Sequence, residues 1–460
     1  MKQFTAMLFA AFALALNGST MFGQTLTTLA TFTGGNGDLP YSGLISDPNG
    51  NLYGTTFYGG DYGYGTVFEL SAATHIITPL VSFNATNGAN PVNYGRLVVD
   101  NSGNLYGTTA GGGPNQAGTV FEVAALTHAV TTLASFDPAT TGYLPYGGLS
   151  ADGSGNLYGT TQFGGPGGGG IVFKIDGTHS ISVLATFAEN SSTSGRNAVS
   201  PPVIDSNGNL FGTTGGGGTG GGNGTIYEID SATHTLTTVA TFNGANGVIP
   251  TGLIADSRGI LYGSARGGGP TNDGVIFEFD PATHNLTTLA SFDGTDGSDP
   301  AGTLVIDAAG NLYGTTVFGG SGGQGTAFEL DSATHAITDL ASFDGSNGAS
   351  PFSSPLLGGD GNLYGTTTGG DFRAFGDGTV FEVALPEPGA LSMTGIGALA
   401  LGVRRRRGLA LGLSASAAHK RIVRALARLR ELMERDGYSV SISAQLTRTP
   451  FSSTWIVWGN

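Results

Sequence analysis

Three aspartates stand three residues apart in the stretch FDGTDGSDP, namely Asp293, Asp296 and Asp299. Carboxylate oxygens at that spacing suit a calcium ion, although the glutamate and the full ligand set of an EF-hand loop are missing. Polar residues of this kind are also ordinary turn formers. Six of the seven histidines (His75, His128, His179, His234, His284, His335) share one context, of which SATHTLTT is typical. A glutamate recurs in the same way at Glu69, Glu122, Glu228, Glu278, Glu329 and Glu382. Histidines and carboxylates spread evenly along a chain neither gather on one metal ion nor form the carboxylate pair, about 5–10 Å apart, of a glycoside hydrolase. They read as turn and strand residues. The absence of cysteine excludes disulfides, thiolate nucleophiles and cysteine-based metal sites.

The spacing of these residues comes from a repeat. LYGTT or a close variant starts at Leu52, Leu105, Leu157, Leu210, Leu261, Leu312 and Leu363, in steps of 51 to 53 residues. Every copy carries three more phrases. GTVFEL (65–70) recurs down to GTVFEV (378–383), TLATF (28–32) recurs as TLASF, TVATF and similar, and an apolar stretch closing on Asp precedes each GN, as in GLISDPNGN (43–51). Each is short, rich in β-branched and aromatic residues and bounded by Gly, Asn, Asp or Pro, which predicts four strands per copy. With 81 glycines and 11% charged residues, the composition also favours strands and tight turns over helices.

Four antiparallel strands, a to d, repeated seven times predict an all-β, seven-bladed β-propeller. The chain begins with an orphan d strand (26–32) and its last copy stops at strand c (379–383), so the N-terminal strand should complete blade seven and close the ring. DPNGN reads as the a–b turn, and Gly54 as a point of close approach between neighbouring blades. Glycine runs such as GGGGTGGGNG (215–224) precede a strand, not a helix, and read as flexible b–c loops without a phosphate role. The d–a and b–c loops share one face, the usual ligand face of propellers by analogy of fold. Arg196, Arg266 and Arg373 fall in loops of that face, and Tyr41, Tyr94, Tyr143 and Tyr146 lie near it, where aromatic rings stack on sugars or pack on the blade.

The unit GNLYGTT…GG…GTVFEL…TTLASF, over about residues 26–383, resembles the GloVer tandem repeat of bacterial surface proteins. The resemblance implies a propeller-like extracellular module and carries no assigned activity. LFGTT at Leu210, LYGSA at Leu261 and Lys174 in place of the strand-c glutamate depart from the pattern.

Residues 1–24 combine Lys2, an apolar run Ala6–Leu16 and then small and polar residues, as a secretory signal does. The propeller is expected over 25–384. Residues 385–407 hold Pro386, Glu387 and Pro388, an apolar run and then Arg404, Arg405, Arg406 and Arg407, which resembles a PEP-CTERM sorting signal. That resemblance implies an apolar helix lodged in the membrane, arginines on the cytoplasmic side and recognition by an exosortase-type machinery. Residues 408–460 form a basic tail with an amphipathic helix pattern (Ile422, Leu426, Leu429, Met433) and a strand-like stretch, YSVSISAQL. From Arg404 onward the net charge is +8, against −23 before it. The tail reads either as a segment of separate origin or as a surface-lying membrane helix.

An acidic propeller repels phosphates, so nucleic acid is not an expected partner. Two functions remain. One is a non-catalytic exported surface or matrix protein that binds glycan or protein through the d–a/b–c face, without a cofactor unless calcium is held by Asp293, Asp296 and Asp299. The other is a secreted polysaccharide hydrolase or lyase, which would need a privileged cluster of side chains at the channel mouth. Three scattered arginines favour the first.

Overall fold

The computed structural model describes residues 24–91, 95–189, 193–369 and 377–385. The sorting residues Pro386–Pro388 and Arg404–Arg407, the basic tail, Tyr94, Arg373 and the leader up to residue 23 lie outside the described residues. Among the described residues no helix is long and apolar enough to cross a membrane.

Seven four-stranded antiparallel sheets form the blades of a propeller. In blade one the strands are a (Ile45–Ser46), b (Leu52–Thr56), c (Thr66–Leu70) and d (Ile77–Ser82), paired in that order. Blade seven takes a (Leu356–Leu357), b (Leu363–Thr367) and c (Thr379–Val383) from the end of the repeats and d from Leu26–Thr31. The ring therefore closes as expected, with Leu26 opposite Val383 and Thr31 opposite Thr379. Strand d bulges against strand c at Val67/Phe68 in blade one and at equivalent points of blades two to six. The closing strand has a bulge of the same kind between Thr28 and Ala30, so it reproduces the geometry of an internal d strand.

Strand c is apolar on both sides because both sides are covered. Phe68 packs with Phe32 and Val380 of blade seven, while Val67 packs with Leu97 and Phe121 of blade two. The phenylalanine that ends each d strand meets the strand-c aromatic of the next blade: Phe32–Phe68, Phe83–Phe121, Phe136–Phe173, Phe187–Tyr227, Phe242–Phe277, Phe292–Phe328 and Phe343–Phe381 are all edge-on, with centroids 4.9 to 5.2 Å apart. Such a pair contributes about 0.5–1.5 kcal/mol beyond the burial of its area. Seven of them run round the ring.

The Thr-Thr that ends strand b divides its work. The second threonine bonds within the blade, as Thr56 Oγ1 with Thr66 Oγ1 at 2.9 Å. The first donates to a carbonyl of the next blade, as Thr108 to Pro145 O at 2.7 Å, and Thr366 to Pro40 O at 2.8 Å across the seam. A buried carbonyl left without a donor costs about 1–3 kcal/mol, so this hydroxyl secures each junction.

One expectation needs correction. A Cβ on Gly54 would lie 2.9 Å from the Phe68 ring of its own blade, so this glycine makes room for the strand-c aromatic and not for a neighbouring blade. The approach between blades falls at Gly65, where a Cβ would sit 2.6 Å from Pro91 Cδ.

On the other face, the a–b turn is organised by its aspartate. Asp47 Oδ1 accepts the N–H groups of Asn49 and Asn51, each at 2.9 Å, and Asn51 Oδ1 accepts Ala72 N–H from the c–d turn at 3.0 Å. Partial burial would raise the Asp47 carboxyl, but hydrogen bonds from Asn51 and Asn49 hold it below its ordinary value. Burial, together with Glu69 and Asp47, pushes the Tyr53 hydroxyl up to about 12. The six repeated histidines all sit in the c–d turn at φ between 53° and 62°, where Asn, Asp and His are the non-glycine residues most readily accommodated.

Candidate functional site

The opposite face, that of the d–a and b–c loops, surrounds the mouth of the central axis. Its loops are not slack. Gly60 N–H donates to Gly34 O at 2.9 Å and Gly65 N–H to Gly59 O at 3.1 Å. In blade four the glycine run pairs Gly216–Gly217 with Gly195–Arg196. At Gly59 a glycine is needed because the loops touch: with φ at +82°, its Cβ would run into Gly34 O. Among the described residues, the b–c loops expected to be flexible include these hydrogen-bonded turns.

The three candidate aspartates part company in this frame. Asp293 Oδ1 accepts Thr295 N–H at 2.9 Å and Thr295 Oγ1–H at 2.6 Å, while Asp296 Oδ1 accepts Asp293 N–H at 3.0 Å. The same reciprocal turn is built by Asn243 with Asn246 and by Asp344 with Asn347. Bonds from Thr295 hold the Asp293 carboxyl low, and burial raises that of Asp296. Asp299 turns away from both and grips Arg266 with two parallel bonds, Nε to Oδ1 at 2.6 Å and Nη2 to Oδ2 at 2.7 Å. The calcium reading thus loses its geometry. Among the described residues, no three His, Cys, Asp or Glu side chains are grouped to hold a metal ion.

Asp299 belongs to a ring that the sequence reading missed. It has φ +61°, and so in effect do its counterparts Leu39, Asn90, Leu144, Ile249 and Ser350, with Asn197 in blade four; all seven lie between 51° and 60° or at 61°. The left-handed region is a genuine outlier for a β-branched residue such as Ile249 and costs on the order of 1–3 kcal/mol. Two backbone bonds impose it. The carbonyl accepts the N–H of the residue that follows strand b, as Val317 to Asp299 at 3.0 Å, and the N–H donates to the b–c loop of the preceding blade, as Asp299 to Asp273 O at 2.9 Å. The residues that follow Thr-Thr form a second ring. They are Phe57, Ala110, Gln162, Gly215, Val317 and Thr368, with Arg266 at the same place in blade five.

Between blades three and seven these rings enclose a cleft of about 270 Å³. Ile249, Pro250, Ala301 and Phe352 give it an apolar wall; Gln162, Asn197, Thr251, Thr303 and Arg266 give it polar groups. The guanidinium carbon of Arg266 lies 5.0 Å from the centre of the Phe352 ring. From Phe352 an aromatic chain runs outward through Tyr41 (5.6 Å) to Phe57 (5.9 Å) and Tyr58 (4.5 Å). Burial raises the hydroxyls of Tyr41 and Tyr146, whereas Tyr143 stacks on Phe163 within its own loop. Arg196 donates to Glu189 O at 3.1 Å.

Below the mouth the backbones of neighbouring blades meet around the axis. Gly43 N–H donates to Gly95 O at 2.9 Å, and a Cβ on Gly302 would meet Ser353 O at 2.7 Å. Arg96 lies across this ring. Its stem passes over Gly43, and its guanidinium donates to Pro355 O of blade seven. Desolvation lowers it to about 10. Among the described residues no carboxylate forms an ion pair with it.

The repeat family described as the Gloeobacter/Verrucomicrobia repeat matches residues 11–201 and 199–394. None of the curated proteins matches the sequence. Among solved structures, the extracellular domain named as that of the one-component system BT4673 from B. thetaiotaomicron is 16% identical with a TM-score of 0.51. That match covers 79% of this chain, which spans 42% of the other. Proteins named as 6-phosphogluconolactonases from Bacteroides uniformis ATCC 8492 (16% identity, TM-score 0.47, 68% and 88% of the two chains) and Bacteroides fragilis NCTC 9343 (16%, 0.44, 75% and 88%) are also similar. At this identity the first likeness is one of fold.

Proposed function

The chain belongs to the Gloeobacter/Verrucomicrobia repeat family, and from that premise we propose a non-catalytic, exported surface or matrix protein whose propeller binds glycan or protein partners at the mouth just described. The observation that carries this reading is the contrast between a scaffold that repeats and two rings of mouth residues, one different in every blade and the other with five residue types in seven blades. Loops on a rigid scaffold that vary while the scaffold stays constant are how binding surfaces are made. The charged pair at the mouth supports binding over catalysis, because Arg266 and Asp299 hold each other by two short bonds instead of presenting a separated acid and base. Export is supported by the signal-like leader, and sorting by Pro386–Pro388, the apolar run and Arg404–Arg407.

The test has two parts. Intact-mass and terminal-peptide measurements on protein from the medium and membranes of the native host should find a species that starts near Thr25 and ends near the Pro-Glu-Pro motif. Purified protein should retain polysaccharides without releasing products. Turnover abolished by Arg266→Ala would replace this reading with that of a hydrolase or lyase.

A further inference from the structure

We propose that Arg96 holds a small carboxylate anion, of the size of formate or acetate, where the innermost strands of blades one, two and seven meet. The site goes beyond the binding reading above and stands or falls apart from it.

Its placement comes from the backbone. Strand a is the innermost of each blade, because the a segments of neighbouring blades touch: Gly43 N–H donates to Gly95 O at 2.9 Å, and a Cβ on Gly95 would lie 2.9 Å from Gly147 O. Such contact favours small or compact residues, and at the place of Arg96 the other six blades have Gly43, Gly148, Pro202, Gly252, Thr303 and Pro355. Arg96 is the exception. Its stem passes over Gly43 of blade one, where a Cβ would lie 2.8 Å from Arg96 Cγ, and its Nη2 donates to Pro355 O of blade seven.

A charge in such surroundings needs a counter-charge. Arg258 and Arg266 have theirs in Asp256 and Asp299, at 2.8 and 2.6 Å. Arg96 forms no ion pair among the described residues, and burial is the one cause that shifts its titration. The Pro355 carbonyl occupies one N–H and neutralises nothing.

The guanidinium also selects the shape of its ligand. Nη2 belongs to both N–H forks of the group and carries one hydrogen in each, so the bond to Pro355 O takes up one fork and leaves the other whole. A whole fork matches the two oxygens of a carboxylate. Arg96 is half-buried, so solvent reaches it, and among the described residues the enclosed side-chain atoms without a partner belong to other residues. Backbones that approach this closely suit an anion of a few heavy atoms. A single negative charge cancels the guanidinium, whereas a dianion would leave an excess inside a protein whose residues 1–403 already carry a net −23.

The experiment uses the full chain at neutral pH and fixed ionic strength, with sodium formate or acetate replacing sodium chloride and with sodium sulfate as the tetrahedral, divalent arm. Formate or acetate should raise the thermal midpoint along a saturating curve, and the formate NMR line should broaden in the presence of the protein. Arg96→Met, which keeps the stem and removes the charge, should weaken this binding about tenfold or more. Arg96→Lys, which keeps the charge and loses the fork, should weaken it as well. An equal response from wild type and Arg96→Met overturns the site, and undiminished binding by Arg96→Lys overturns the carboxylate. Chloride or sulfate bound more tightly than either carboxylate does the same. Should Arg96→Met not fold, the wild-type chain decides: formate and acetate without saturable binding overturn the proposal. None of these results touches the binding reading, which rests on retention of polysaccharide.

Discussion

In six of the seven blades strand b ends in Thr-Thr, and the residue after it is different every time. The two threonines are buried and bonded, one inside its blade and one to the next. The next residue lies at the mouth, and its side chain makes no bond that recurs from blade to blade. One covalent bond thus separates a position that the fold dictates from one that it leaves open. A repeat protein has no other way to build a specific site: whatever serves the ring must recur, and whatever distinguishes one partner from another must not.

That comparison breaks if constant positions tolerate change or variable ones do not, and the effects can be ranked. The largest should come from Phe121→Ala, which empties a fully buried slot between blades one and two and is expected to cost about 3–5 kcal/mol, measured by denaturant unfolding. Next is alkaline unfolding, which draws on several blades together. The hydroxyls of Tyr53, Tyr106 and Tyr158 are pushed up to about 12, chiefly by burial. Their neutral forms are favoured by the folded state, so the stability they contribute is complete below about 10, the usual tyrosine value, and is lost as pH rises toward 12. A pH series of thermal midpoints should fall in that window, and the triple Phe variant should flatten the fall. Thr108→Val keeps the shape and removes the donor to Pro145 O, for an expected loss of about 1–3 kcal/mol by the same unfolding measurement.

Two smaller changes sharpen the contrast. Tyr227 stands where the other blades have phenylalanine, fully buried and with its hydroxyl unpartnered, and burial drives that hydroxyl's ionisation out of reach. Tyr227→Phe should therefore stabilise the ring by about 1 kcal/mol, visible as a raised thermal midpoint. Gln162→Ala, at the mouth, should shift stability by no more than about 0.5 kcal/mol in either direction. A loss of several kcal/mol there would mean that the mouth is scaffold too.

The ring itself was legible because burial on both faces of each blade forces the same apolar residues to the same places. GTVFEL, TLASF and the missing fourth strand were enough to reach seven blades and the closing pair. What the sequence hid was the side-chain contacts whose two ends lie in different copies. Gly65 clears the way for Pro91, and nothing local to either residue says so. The Asp triplet misled because Asp293 and Asp296 serve the turn while Asp299, three residues on, is committed to Arg266, thirty-three residues away. A signal for the mouth was nonetheless present. With the seven copies stacked, the position after Thr-Thr differs in every copy, and the position before the loop proline, Asn197 in blade four, takes five residue types in seven copies.

The pairing of Leu26–Thr31 with Thr379–Val383 also sets a clock. A ribosome makes the closing strand first and its partner last, and the seam bond from Thr366 to Pro40 joins residues 326 positions apart. Loop closure over such a distance is slow, and until it happens both ends of the blade series present unpaired edges. A chain cut short within strand c of blade seven is therefore not a smaller propeller but an open series of blades with two unpaired edges, and closure depends on the last few propeller residues.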